Sequence, residues 1–286
     1  MKTPILPIPI YQTRPWGGDR LHALYGRETP EKTGESWELS VHDHGISRNA
    51  EGYAIRDLYP DLRLIFKLLD AREALSVQVH PSAGTDAKTE MWIVMEAAPG
   101  AKLYAGVKPG VTEYELRERI GNRTLPEALV CHDAREGDVF FLPGGTVHAL
   151  GAGLVVAEIQ QPGDCTYRLY DWGRPRELHI DAGLAAAKLE SLPVCARIPM
   201  AGGHVTLPGC GYFTAEAVRG RSYRSQTDGE HTILFLRAPG TVETTDGKVS
   251  VAGGTTVFLP GDTGAFSVCG NETPDFLVFR QPKAVK

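Results

Sequence analysis

The chain has 286 residues and a formal net charge of −5, with 42% hydrophobic and 23% charged residues. That composition calls for a buried core in one large domain or two ordinary ones, and it excludes a disordered chain. The acidic balance speaks against a general nucleic-acid partner, and no apolar run approaches the ~18 residues of a membrane span.

The start, Met1 to Pro9, is broken by prolines and is unlike a secretory signal. Five scattered cysteines without a CxxC read as reduced thiols of a cytoplasmic protein, not as a disulfide frame or a thiolate metal site. Many short apolar runs separated by glycine and proline predict a mainly β fold with a few short helices.

Taken in order, a proline- and glycine-rich opening ends at Trp16-Gly17-Gly18-Asp19, and a short helix follows near Asp19 to Tyr25. Gly34 to Val41 reads as a strand whose Glu35 or Glu38 either reaches a site or lies exposed. Leu62 to Leu69 is an apolar run interrupted by Lys67. That lysine either snorkels to the surface or meets an anion in a pocket, because burial without a partner is costly.

Leu75-Ser76-Val77-Gln78-Val79-His80-Pro81 alternates, so Gln78 and His80 share one face of a strand. Glu90 sits in a second apolar strand, Lys88 to Met95, with Lys88 on the same side. Thr112 to Ile120 is a helix with a capping threonine, early acids and late arginines, and reads as a surface insertion. His148 follows the turn Leu142-Pro143-Gly144-Gly145-Thr146. Glu158 lies in Val155 to Gln161, and Arg168 lies in Gly163 to Arg174. A second helix is expected from Ile180 to Leu189, closed off by Pro193.

The chain also repeats itself. Gly137 to Gly144 resembles Gly254 to Gly261 at a shift of 117 residues, which places Ala265 at the position of His148. Ala98-Pro99-Gly100 matches Ala238-Pro239-Gly240 at a shift of 140, which sets Glu90 against Glu230. The first copy thus keeps polar ligands that the second lacks.

Gln78, His80, Glu90 and His148 together offer two nitrogen and two oxygen donors, a set suited to Zn²⁺ or another first-row divalent ion. Lys88, Glu158 and Arg168 surround them in the reading. Cations near a metal ion are tolerated only if acids or an anionic ligand share the space, which points to a small substrate bearing phosphate or carboxylate.

These motifs, with Lys88-Thr89-Glu90-Met91-Trp92, Gly144-Gly145-Thr146-Val147-His148-Ala149, Thr166-Tyr167-Arg168-Leu169-Tyr170-Asp171 and Gly34-Glu35-Ser36-Trp37-Glu38, resemble the type I mannose-6-phosphate isomerases, in their short bacterial branch. The resemblance runs from about Trp16 to Leu189 and lacks the large helical domain of the long forms. It implies two cupin-type jelly-roll barrels: a metal-bearing one over residues 1–190 and a degenerate one over 191–286. It implies one Zn²⁺ per chain held by Gln78, His80, Glu90 and His148. Arg168 would be the catalytic arginine, and Lys67, Lys88 and Glu158 would line the sugar-phosphate pocket.

The implied reaction interconverts mannose 6-phosphate and fructose 6-phosphate through a cis-enediol. Arginine is too basic to carry the proton, so either Lys88 lowered by zinc or Glu158 raised by burial would carry it. A non-catalytic sugar-phosphate-binding cupin and a different metal-dependent cupin enzyme are the alternative readings.

Overall fold

Glycine- and proline-punctuated apolar runs form strands throughout the computed structural model, which describes residues 3–199, 202–220, 222–270 and 275–283. The first half carries β1 (Ile10–Gly18), β2 (Thr33–Leu39), β3 (Ile65–Ala71), β4 (Val77–Val79), β5 (Glu90–Ala97), β6 (Lys102–Val107), β7 (Leu129–Asp133), β8 (Asp138–Leu142), β9 (His148–Leu150), β10 (Leu154–Gln160), β11 (Tyr167–Tyr170) and β12 (Val194–Arg197). The second carries β13 (Gly203–Leu207), β14 (Thr214–Arg219), β15 (Ser222–Gln226), β16 (His231–Leu236), β17 (Gly240–Thr244), β18 (Gly247–Val251), β19 (Thr255–Leu259), β20 (Ala265–Cys269) and β21 (Asp275–Gln281). Four short helices, α1 (Arg20–Tyr25), α2 (Ile55–Leu58), α3 (Glu113–Gly121) and α4 (Ile180–Ala186), complete the α content among the described residues.

Four antiparallel sheets result. A seven-stranded sheet, β1-β2-β3-β10-β5-β8-β12, faces a five-stranded one, β11-β4-β9-β6-β7. Leu69, Trp92 and Val94 of the first meet Leu103, Ala105 and Leu150 of the second. A five-stranded sheet, β13-β14-β21-β16-β19, likewise faces the four-stranded β15-β20-β17-β18, with Leu234 and Val278 against Val242 and Val268.

The two larger sheets then stack back to back. Phe66, Met91 and Ile159 meet Ile233, Phe235 and Phe279, and the Phe66 ring lies 5.4 and 5.1 Å from those of Phe235 and Phe279. Apolar burial of this kind is the main favourable term in folding.

The expected strands and helices appear within a few residues of their predicted bounds. Thr112 caps α3, its hydroxyl accepting from the Glu115 N–H at 3.2 Å. Leu116 and Ile120 bury against Val79, Val107 and Ala149, so this insertion covers the outer face of the sheet that bears the histidines. The helix expected to run to Leu189 ends at Ala186. There the Lys188 N–H turns away to the Gly145 carbonyl at 2.9 Å.

The repeat survives as structure. β8 and β19 occupy the same shift of 117, and Thr146 and Thr263 each close the same turn onto Pro143 and Pro260. One register expectation is corrected. Glu90 pairs with Leu142, while Leu259 pairs with Thr232, so Thr232 and not Glu230 stands where Glu90 stands. The first copy has two more residues than the second between this position and the Ala-Pro-Gly turn, and a β5 bulge opposite Val155 and Val156 takes up one of them.

A candidate metal centre beneath a charged cavity

The turn Pro143–Thr146 assembles the centre. The Gly145 N–H donates to the His80 carbonyl at 2.8 Å, and the Gly144 N–H donates to the Thr89 hydroxyl at 3.2 Å. A side chain at Gly144 would lie 2.7 Å from the Pro81 carbonyl and from Ser82 Cα, and Gly145 adopts φ +93°. Only glycines allow this approach. The strand ends carrying His80, Glu90 and His148 are thereby drawn to one point.

His80 Nε2 lies 3.9 Å and His148 Nε2 lies 3.2 Å from the Glu90 carboxylate, all three side chains being buried. Their ligand atoms fall within 4.8 Å of one another. Gln78 Nε2 is 3.3 Å from His148 Nε2, so this residue stands at the cluster with its amide nitrogen, not the expected oxygen, toward it. Each imidazole spends its Nδ1–H on a backbone carbonyl, Cys165 at 2.9 Å and Thr146 at 2.8 Å. That fixes the tautomer and turns both Nε2 lone pairs inward.

Burial and the Lys88 ammonium push the His80 pKa well below the usual range, and burial pushes that of His148 down as well. Burial pushes the Glu90 carboxyl up, but Lys88, His80 and His148 outweigh it and hold it at about 2. Among the described residues His80 Nε2 has no hydrogen-bond partner, and the Glu90 oxygens meet only the Lys88 ammonium and the two imidazoles. The unpartnered His80 Nε2, the inward His148 Nε2 and the Glu90 carboxylate fit a divalent metal ion.

Above the cluster lies a cavity of about 370 Å³, lined by Glu35, Lys67, Gln78, Lys88, Glu158, Asp164, Arg168 and Arg176 among others. Its floor is a chain of alternating charge. Lys88 Nζ is 2.7 Å from Glu90 and 3.6 Å from Glu158. Lys67 Nζ is 4.0 Å from Glu158, 3.7 Å from Glu35 and 4.5 Å above the Trp37 ring. Glu35 closes the chain on Arg14 at 2.7 Å and on the Trp37 indole N–H at 2.6 Å.

The Trp92 indole N–H donates to Glu158 at 2.7 Å. Burial nevertheless raises the Glu158 pKa, with Glu90 adding to it against Lys88 and Lys67. Burial alone would push the Lys88 ammonium down, but Glu158 and Glu90 together raise it above its usual range. Arg168 lies at the cavity wall, one Nη donating to the Glu177 carbonyl at 2.8 Å.

All eight residues singled out in the sequence thus lie at this centre or line its cavity. Of the two carboxylates left open, Glu35 reaches the cavity. Glu38 points the other way, to Arg27 and Thr256. Period-two alternation with Trp37 was the available signal for Glu35. Arg14, Asp164 and Arg176 carried none, because pairing across distant strands and loops brings them here. A larger groove, about 600 Å³ and lined by Arg63, Tyr212 and His231, holds no convergent ligand set among the described residues.

Fold and centre define the class: a mainly β protein with a buried His-Glu-His cluster under a cavity of alternating charge. No family model matches the chain. It is 37% identical over 199 residues to the mannose-6-phosphate isomerase of Streptococcus mutans, a match spanning 59% of this chain and 63% of that protein. It is 34% identical over 221 residues to a mannose-6-phosphate isomerase of Bacillus subtilis, spanning 66% of this chain and 70% of that protein. The crystal structure of a Bacillus subtilis mannose 6-phosphate isomerase superposes with a TM-score of 0.83 at 25% identity, covering 98% of this chain and 100% of that one. The chain belongs to the mannose-6-phosphate isomerase family.

Proposed function

We propose that the chain is a zinc-dependent aldose–ketose isomerase that interconverts mannose 6-phosphate and fructose 6-phosphate through a cis-enediol. The observation that carries this reading is the buried His80-Glu90-His148 cluster, whose ligand atoms converge within 4.8 Å, beside a carboxyl of raised pKa in the same cavity. We further read each pair of facing sheets as a cupin-type barrel, one over residues 1–190 and one over 191–286. In this reading β12 crosses the boundary to pair with β8 of the first barrel.

Gln78, His80, Glu90 and His148 would hold one Zn²⁺ per chain. When bound, the ion supplies Lewis acidity to the oxygens at C1 and C2. Glu158 holds and moves the proton between C2 and C1. Its raised pKa puts the group nearer neutrality, where a general acid and base is most effective. Lys88, held charged between two carboxylates, donates hydrogen bonds to substrate oxygens and stabilises developing negative charge. Lys67 keeps Glu158 and Glu35 in place and adds positive potential. Arg168, half-buried at the cavity wall with its Nε unpartnered among the described residues, binds phosphate or stabilises enediolate charge.

The substrate is thus a small sugar phosphate, and cytoplasmic residence is consistent with this chemistry. No helix among the described residues is long and apolar enough to cross a membrane. The test is conversion of mannose 6-phosphate to fructose 6-phosphate in D₂O. Deuterium on C1 of the fructose 6-phosphate is expected from an enediol exchanging its proton through Glu158. Absence of conversion by the metal-replete protein would reject the reading.

A further inference from the structure

A second donor cluster stands at the rim of the cavity, apart from the buried centre. One ring nitrogen each from His42 and His44 and one carboxylate oxygen of Asp164 lie within 4.8 Å of one another. We propose that His42, His44 and Asp164 form a second, exchangeable binding site for a first-row divalent cation such as Zn²⁺.

The donor set is chemically selective. Two imidazoles and one carboxylate suit zinc, cobalt, nickel or copper, whereas magnesium and calcium favour all-oxygen sites. The arrangement is also fixed in advance. His44 Nδ1 lies 3.0 Å from the Asp164 carboxylate, and the His42 and His44 rings lie 4.7 Å apart.

The loop bearing both histidines is pinned by its own backbone. The His42 N–H donates to the Ser40 hydroxyl at 3.1 Å, and the Gly45 N–H donates to the His42 carbonyl at 3.0 Å. Asp43 between them is turned away into an ion pair with Arg56, so it does not crowd the site. An exposed His–Asp pair alone contributes little. His42 is held beside it by its Nδ1, which accepts from the His44 backbone N–H at 3.2 Å, and by an edge-on contact with Trp37. The His44 side chain is 74% exposed, which leaves coordination positions to water and makes the site exchangeable. Asp164 also lines the cavity wall, so the ion would stand where the substrate enters.

The test counts bound metal. The metal-stripped full chain is dialysed to equilibrium against micromolar zinc, and bound zinc is measured by mass spectrometry for wild type, His44→Ala, Asp164→Asn and His80→Ala. The expected result is one zinc fewer per chain in each rim variant than in wild type. His80→Ala, which removes a donor of the buried centre, should keep the rim ion. Because His44 is exposed, its variant tests the site without disturbing the core. An equal zinc count in wild type and both rim variants would overturn the proposal, whatever that count is.

Discussion

At the scale of single residues, the donors were readable because strand alternation assigns faces. Gln78 and His80 share a face, as do Lys88 and Glu90, and burial then strips both imidazoles of protons. What the sequence does not show is which charge answers which, because that depends on pairing between distant strands. Glu158 opposes Lys67 on one neighbour and Trp92 on the other. In the proposed roles, Glu158→Gln should keep its metal and lower kcat by about 10²–10⁴-fold. Arg168→Ala should likewise retain metal and lose turnover. Steady-state kinetics with metal analysis on both variants checks this, and full turnover in either would remove that residue from the mechanism. Glu35 yields a stability prediction. Burial raises its carboxyl, but Lys67 and Arg14 outweigh that and hold it at about 2, against an ordinary value of 4.5. A carboxyl lowered in the folded state stabilises above its unfolded pKa and loses that contribution as pH falls through the folded one. Stability should therefore drop between about pH 4.5 and 2, by up to ~3 kcal/mol from this group. Urea unfolding across that range should show a shallower acid limb for Glu35→Gln.

At the scale of elements, the Pro143–Thr146 turn matters more than any one strand. It binds the His80 carbonyl, the Thr89 hydroxyl and, through the Thr146 carbonyl, the His148 ring. Its repeat at Pro260–Thr263 keeps the same closing hydrogen bond where Ala265 replaces the histidine. The turn is thus a scaffold device first, and the first half adds the candidate ligands to it. Gly144→Ala should force the Pro81–Ser82 backbone away and weaken metal binding at least tenfold while leaving the remote sheets folded. Metal affinity by competition with a chelator, beside circular dichroism, checks this; unchanged affinity would show that the turn does not set the site. The same repeat was legible in sequence, but its register was not, because the first copy carries two extra residues before the Ala-Pro-Gly turn, one of them in the β5 bulge.

At the scale of the whole molecule, back-to-back stacking of the larger sheets was not legible. Leu62 to Leu69 shows apolar residues on both faces, and only the tertiary structure decides that Phe66 faces the second half while Lys67 faces the cavity. Glu38 reinforces that junction. Buried completely, it holds Arg27 at 2.6 Å and the Thr256 hydroxyl at 3.0 Å across the two halves. Glu38→Ala would strand the Arg27 charge and should cost about 3–5 kcal/mol, seen as a lower urea midpoint with metal content unchanged; an unshifted midpoint would count against a structural role for the pair. Metal and reaction are joined at this centre, which isomerisation of mannose 6-phosphate before chelation, after chelation and after return of zinc would test. Activity should disappear with the metal and come back with it. Activity that persists in stoichiometrically stripped protein, or none in protein holding one zinc per chain, would contradict that link.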